Sequence, residues 1–338
     1  MSAEPERDGR LSGKPPSGSV RRRWSRWERG SMAGYVARMH RYLTEMLPVP
    51  GHLLVAAMTY FGIAAFARHV HRVATPLASL HTALGVWSVF NLFLILRLMD
   101  ELKDRDVDRE LFPERPLPSG RVRESDIRLS LAISTGSYLF ASFCAGSAFW
   151  TALIVLGYAM LMFRLFFIPN VLRGSLMLSL VTHTPILPLM MLQGFATFAA
   201  ESGLRLVDLA WPLVVPYVMM IWAVYAAWEI TRKTRQKEDE TEYVTYSRTL
   251  GAFGAVIFAC TIHTITVGIA LYFYVALQLS WAYLAVVVGG FGVMLWAYLG
   301  FLIKPAGRTP QLRPYAEVFA LAVFAAQVLE FGWWQRGA

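Results

Sequence analysis

Three aspartates recur at intervals of four residues after a long apolar stretch: Asp100, Asp104 and Asp108. If the helix expected for the apolar stretch continues through them, their carboxylates stack on one face over two turns. Like charges in this arrangement destabilise a helix unless a cation binds beside them. Mg²⁺ suits the ladder because it takes one or two carboxylates and fills its remaining positions with water or phosphate oxygens. The spacing therefore predicts a magnesium site at the end of this helix.

Basic residues are interleaved with these aspartates. They are Arg97, Lys103, Arg105, Arg109 and Arg115. We expect Arg97, Lys103 and Arg115 to bind a diphosphate. The stretch offers metal ligands and phosphate partners together, and both are needed because the charge of a diphosphate must be neutralised before it can leave. The alternative interpretation is a loop in which the mixed charges are only solvated.

The segment from 97 to 121, RLMDELKDRDVDRELFPERPLPSGR, resembles the first aspartate-rich motif of the UbiA-type membrane prenyltransferases. The resemblance includes the tail ERPLPSGRV, from Glu114 to Val122. The family usually has the pattern Asn-x-x-x-Asp-x-x-x-Asp. Asp100 takes the place of the asparagine here, and an aspartate can also ligate a metal ion.

This resemblance implies an all-α membrane enzyme. It would transfer an isoprenyl group from an allylic isoprenoid diphosphate to an aromatic or other small acceptor, which the motif leaves unspecified, with Mg²⁺ as the cofactor. Some members of the family cyclise an isoprenoid diphosphate without an acceptor. A terpene cyclase is therefore the alternative function that the resemblance implies.

A second charged stretch, from Tyr225 to Gly251, resembles the second acidic motif of the family less closely. Glu229 stands at the end of an apolar run as Asp100 does, so we expect it to share the catalytic and metal-binding role of the aspartates. Lys233 follows four residues later and could instead pair with Glu229. The other candidates in this stretch are the metal ligands Glu238 and Asp239, the neighbouring Glu240, and the diphosphate partners Arg232, Lys233 and Arg235.

Composition places the chain in a lipid bilayer. Hydrophobic residues make up 56% of its 338 residues, more than in a soluble domain, and the apolar runs reach membrane-spanning length. About nine transmembrane helices are predicted to form a bundle. They are expected near residues 51–67, 75–99, 126–146, 149–168, 174–194, 209–228, 251–275, 281–303 and 315–333.

The two cysteines, Cys144 and Cys260, both fall in apolar runs, which indicates packing residues rather than a disulfide or a metal site.

The distribution of Lys and Arg predicts the orientation of the bundle in the cell membrane. With a cytoplasmic N-terminus, 26 of the 32 Lys and Arg residues lie on the cytoplasmic side and 4 on the other, as the positive-inside rule requires. This asymmetry also explains the net charge of +9 without a nucleic-acid partner. The charged stretches follow the second and sixth spans, and an offset of four helices predicts a parallel internal repeat with both stretches on the cytoplasmic face.

Three regions are predicted along the chain. Residues 1–30 are rich in Arg, Ser, Pro and Gly and are expected to form a disordered basic cytoplasmic tail. Residues 31–47 have apolar side chains at helical spacing, which indicates an amphipathic helix in the membrane interface. Residues 48–338 form the polytopic prenyltransferase-like domain.

Polar residues within the spans are functional candidates because a bilayer makes them costly. His183 lies in the fifth predicted span beside Pro185 and Pro188, which interrupt helical hydrogen bonding. It could contact an acceptor substrate or serve as a hydrogen-bonded histidine between helices. A secondary transporter is the competing class of function. Its coupling site is expected near the midplane, however, where the predicted spans carry essentially no carboxylate.

Overall fold

The computed structural model describes residues 31–240, 244–304 and 310–332, and within these ranges all regular secondary structure is helical. The predicted basic tail, residues 1–30, lies outside the described residues. The helices are α1 (Met32–Met46), α2 (Val49–His71), α3 (Leu80–Lys103), α4 (Arg105–Leu111), α5 (Glu124–Cys144), α6 (Ala148–Phe163), α7 (Pro169–Arg173), α8 (Leu176–His183), α9 (Ile186–Ser202), α10 (Trp211–Arg232), α11 (Tyr246–Ala276), α12 (Trp281–Ile303) and α13 (Leu312–Gly332).

Eight helical segments of the described chain are long and apolar enough to cross a membrane: α2, α3, α5, the pair α8 and α9, and α10 to α13. The fourth predicted span, 149–168, corresponds to α6, an apolar helix of 16 residues. At a rise of about 1.5 Å per residue, α6 is about 24 Å long, shorter than the hydrocarbon core. It ends at Phe163 rather than near 168 because residues 165–167 leave the right-handed helical conformation.

The helices repeat their packing with an offset of four spans. In the first half, α2 packs against α3, α3 against α5, and α5 against α6. In the second half, α9 packs against α10, α10 against α11, and α11 against α12. The fifth and ninth spans also correspond to each other: α9 contacts α3, and α13 makes the equivalent contact with α10. This pattern confirms the parallel internal repeat, and the ends of α3 and α10 therefore emerge on the same face of the bundle.

An aromatic cluster lies where the two halves meet. The ring of Phe66 in α2 stacks on Tyr217 of α10, with 4.2 Å between ring centroids. Phe195, Phe273 and Phe331, from α9, α11 and α13, surround the same ring. All five side chains are at most 3% exposed, so they join five helices of the bundle through one contact region.

The amphipathic helix α1 lies against the bundle at the same end as the first charged stretch. It begins after Ser31, whose hydroxyl accepts a hydrogen bond from the amide of Gly34. Its inner side chains Met39 and Tyr42 pack with Leu98 of α3 and Ile127 of α5, and with Val122 in the loop before α5. One face of α1 is therefore covered by protein.

Candidate functional site

The three predicted aspartates keep helical register although α3 gives way to α4 between them. The amide of Asp104 donates to the carbonyl of Asp100 at 2.9 Å, and that of Asp108 donates to the carbonyl of Asp104 at 2.8 Å. Asp104 has φ −95° and ψ 10°, which bends the chain without breaking this hydrogen bonding. The aspartates thus occupy successive turns, and α4 ends at Leu111 just before the prolines.

The first two aspartates are accessible. The side chain of Asp100 is 50% exposed and accepts a bond from Lys103 Nζ at 2.7 Å. Asp104 is exposed at the end of α3. Desolvation by the surrounding protein raises the pKa of Asp104 above its ordinary value; Lys103 opposes that rise, and the charges of Asp100 and Asp108 add to it. A cation bound here would favour the ionised carboxylate.

The third aspartate has a different environment. Asp108 is buried, and Arg115 Nη1 donates to both of its carboxylate oxygens, at 2.8 and 2.9 Å. The guanidinium of Arg115 also lies over the ring of Phe112, 3.8 Å from its centroid. Both residues were predicted to face the ligand, Asp108 as a metal ligand and Arg115 as a diphosphate partner. In the structure they bind each other.

A fourth carboxylate belongs to this stretch and was not singled out from the sequence. Glu101 is 2% exposed, and its Oε2 accepts bonds from Arg97 at 3.0 Å and from the Tyr42 hydroxyl at 3.4 Å. Its Oε1 is buried without a hydrogen-bond partner. The spacing of four residues from Arg97 was the available signal, whereas the contact with Tyr42 of α1 depends on the fold. Arg97 is thereby directed at Glu101.

In the second stretch, both oxygens of Glu229 are engaged. Lys233 Nζ lies 2.8 Å from Oε1, and Arg232 donates to Oε2 at 2.7 Å. This is the ion pair given as the alternative to a metal role. The side chain of Glu229 is 23% exposed, so it lies at the edge of the site, and its metal role stays a prediction.

The remaining acids of the second stretch separate into two groups. Glu238 and Asp239 are exposed in a short 3₁₀ turn, Lys237–Asp239. Glu240 accepts hydrogen bonds from the hydroxyls of Thr245 and Ser247. These bonds hold the chain against the start of α11.

Arg235 contacts the residues at the start of α11. It lines a cavity of about 760 Å³ together with Lys237, Glu240 and Arg248. Its amide donates to Ser247 Oγ at 2.7 Å. The structure therefore places Arg235 beside the start of α11, and its role towards a diphosphate stays a prediction.

His183, the last residue of α8, lies within electrostatic range of both charged stretches. Asp100 and Lys103 of the first stretch and Lys233 of the second all lie close enough for their charges to act on its imidazole. His183 is half-buried at a break between α8 and α9. The approach of the two stretches to each other stays a prediction, and His183 is the side chain for which the sequence left two interpretations.

The donor set fits Mg²⁺ in the presence of a phosphate ligand. Throughout the described ranges no three acidic, histidine or cysteine side chains form a metal cage of protein groups. Mg²⁺ needs only one or two carboxylates when phosphate oxygens and water complete its octahedron. Asp100 and Asp104 supply two accessible carboxylates one helical turn apart.

Comparison with known proteins identifies the architecture. No family model and no curated protein matches the sequence. Among solved structures, digeranylgeranylglyceryl phosphate synthase aligns with a TM-score of 0.60 at 16% identity, over 87% of this chain and 99% of that protein. The apo UbiA homologue from Aeropyrum pernix K1 also gives 0.60, at 14% identity, over 81% and 96% of the two chains.

A third similar structure contains ligands. The UbiA homologue from Archaeoglobus fulgidus, bound to DMAPP and Mg²⁺, aligns with a TM-score of 0.52 at 17% identity, over 85% of this chain and 97% of that one. At these identities the likeness concerns the fold. The chain described here has the UbiA fold, in agreement with the resemblance of its first aspartate-rich motif.

Proposed function

We propose that this protein, which has the UbiA fold, transfers an isoprenyl group from an allylic isoprenoid diphosphate to an aromatic or other small acceptor within the membrane. The observation that carries the proposal is that Asp100 and Asp104 stand on successive helical turns beside Lys103 at the end of α3, while Lys233 directly follows α10, the corresponding helix of the repeat. Carboxylates for a metal ion and cations for a diphosphate thus lie at one mouth of an apolar bundle. That combination suits a substrate with an anionic head and a hydrocarbon chain.

In this proposal the residues of the two stretches have different roles towards the diphosphate. Asp100 and Asp104 would hold Mg²⁺, and the bound ion would neutralise the departing diphosphate. Lys103 and Lys233 face the same region from opposite halves of the repeat and add positive charge there. The Arg115 side chain keeps Asp108 in place, so that the loop after α4 stays closed against the motif.

The proposed site opens on the cytoplasmic face of the cell membrane. The distribution of Lys and Arg along the sequence supports this orientation, because the ends of α3 and α10 carry most of the basic residues that follow the first span. A water-soluble diphosphate would then enter from the cytoplasm, while its isoprenoid chain would lie among the helices.

The test is a reaction of the purified protein in detergent or lipid with Mg²⁺ and isoprenyl diphosphates of several lengths, with and without a panel of phenolic and other small acceptors. Mass spectrometry of the products should show prenylated acceptor and Mg²⁺-dependent release of diphosphate. Terpene hydrocarbon or alcohol formed without an acceptor would instead support the cyclase. Absence of Mg²⁺-dependent turnover with every diphosphate would contradict both functions.

A further inference from the structure

A discontinuity in the fifth span follows directly after a histidine, His183. Helix α8 ends at His183, and α9 begins at Ile186 after Pro185. The hydroxyl of Tyr158 in α6 donates to the carbonyl of Thr182 at 2.8 Å. Because a freed carbonyl is costly in a membrane, this bond stabilises the break. The break after α8 is therefore stabilised by a contact from another helix.

The side chain of His183 faces the bundle rather than lipid. It shares a helix face with Leu176 and Leu180, at intervals of seven and three residues. Both leucines pack on a cluster that includes Ile230 of α10 and Tyr246 of α11. His183 consequently lies on the side where the second charged stretch begins.

One nitrogen of the ring is fixed by the backbone. His183 Nδ1 lies 2.9 Å from the carbonyl of Ser179, and only a protonated Nδ1 can donate to that oxygen. The neutral tautomer then carries its lone pair on Nε2, as a proton acceptor requires. The Thr182 hydroxyl lies 3.1 Å from the same Nδ1. Because this hydroxyl donates its proton to the carbonyl of Leu178, it can only accept a hydrogen bond from Nδ1–H.

A strained turn packs an aromatic ring on this imidazole. Leu165, Phe166 and Phe167 have φ of 48°, 50° and 61°, a left-handed conformation that is unfavourable for side chains other than glycine. The turn brings Phe166 to 6.0 Å from His183 and 5.6 Å from Tyr158, centroid to centroid. Strain of this kind persists where surrounding contacts hold it and is frequent at functional sites.

We infer that His183 Nε2 is the base that takes the proton from the acceptor in the proposed transfer reaction. The C–O bond of the allylic diphosphate breaks and its electron pair leaves with the diphosphate. The acceptor oxygen, nitrogen or carbon bonds to the allylic carbon, and the proton it loses passes to Nε2. The charged groups that act on the ring are Asp100, Lys103 and Lys233. This inference rests on the proposed function and adds a catalytic residue to it.

The experiment separates binding from proton transfer. His183→Gln keeps a polar side chain but removes the base, and His183→Ala leaves room for added imidazole. Each is compared with wild type and with His81→Gln, a histidine at the opposite end of α3. Binding is measured with Mg²⁺ and geranyl thiolodiphosphate, which does not ionise readily, and turnover with geranyl diphosphate and the acceptor identified by the product assay.

We expect kcat to fall about 100-fold or more in both His183 variants, as is typical of losing a general base. Affinity for the thiolodiphosphate should stay within about threefold, and imidazole should restore part of the turnover of His183→Ala. Wild-type kcat in His183→Gln, or loss of analogue affinity parallel to kcat without rescue, would overturn the inference. A wild-type protein that binds no analogue would overturn the proposed function, and product formed only without acceptor would overturn this role of His183.

Discussion

Arg115 donates to both carboxylate oxygens of Asp108, at 2.8 and 2.9 Å, so a cation expected to bind substrate is held by an acid expected to bind metal. The Asp108 side chain is 9% exposed, and the guanidinium compensates a charge that would otherwise be buried alone. The contact spans seven residues and closes the proline-rich loop against α4. Arg115 thereby stabilises the conformation of the first motif.

Replacing Arg115 by Ala should lower the Tm of the purified protein, since Asp108 loses its partner. We expect a loss of about 1–3 kcal/mol, between the values for exposed and buried pairs, because Arg115 is partly accessible. Adding Asp108→Asn to Arg115→Ala should restore most of the Tm, which a thermal unfolding assay of wild type, both single variants and the double variant can measure. An unchanged Tm with a raised KM for the diphosphate would instead assign Arg115 to substrate binding.

Asp104→Ala should reduce turnover by at least about 100-fold, or about 2.7 kcal/mol of transition-state stabilisation, because it removes an accessible metal ligand. Steady-state kinetics across a range of Mg²⁺ concentrations measures the effect. Asp106→Ala is the matched control, since the Asp106 side chain, in the helix that starts directly after Asp104, is 80% exposed and the variant should retain activity within about twofold. Equal activity of the two variants at saturating Mg²⁺ would refute the metal role of Asp104.

Glu229→Gln distinguishes the two interpretations of the second stretch. If Glu229 binds the metal, the variant should need more Mg²⁺ for half-maximal turnover. If it only pairs with Arg232 and Lys233, the Mg²⁺ dependence should stay unchanged while kcat falls modestly. Mg²⁺ titrations of wild type, Glu229→Gln and Glu238→Gln decide between these outcomes, because they compare the two candidate ligands of this stretch in the same assay.

The ion pair between Arg38 and Asp126 should anchor α1 to the bundle. Its atoms approach to 2.6 Å and 2.8 Å, and both side chains are at most 7% exposed. Arg38→Met leaves a buried, unpaired carboxylate and should destabilise the fold by about 3–5 kcal/mol, seen as a lower Tm. The Arg38→Met/Asp126→Leu double variant should recover much of this loss. A Tm unaffected by Arg38→Met would show that α1 is held by apolar contacts alone.

Cysteine accessibility tests the orientation of the two stretches. In a background in which Ala replaces Cys144 and Cys260, we expect Ser119→Cys and Glu238→Cys to react with a membrane-impermeant maleimide only from the cytoplasmic side. Asp208→Cys, in the loop before α10, should react only from the other side. Labelling of either stretch from outside intact cells would contradict the proposed orientation.

Local features of the chain were sufficient to predict the helices and the register of the aspartates. Hydrophobic runs and helical periodicity depend on neighbouring residues, so the predicted span 281–303 coincides with α12, and Asp100, Asp104 and Asp108 fall on successive turns. The four-residue spacing also anticipated the pair of Glu229 with Lys233. The predicted span 75–99 started too early because apolar residues precede the Ser79 cap of α3.

The partners of the other charged groups follow from packing between distant segments. Arg38 and Asp126 are 88 residues apart, and Tyr42 reaches Glu101 from a separate helix, so no local pattern indicates either contact. His183 is within electrostatic range of both stretches because α8 packs beside the end of α10, where Leu176 and Leu180 lie in one cluster with Ile230. The direction of a side chain towards a partner depends on which helices pack together, and that arrangement minimises the free energy of the whole bundle rather than of any one segment.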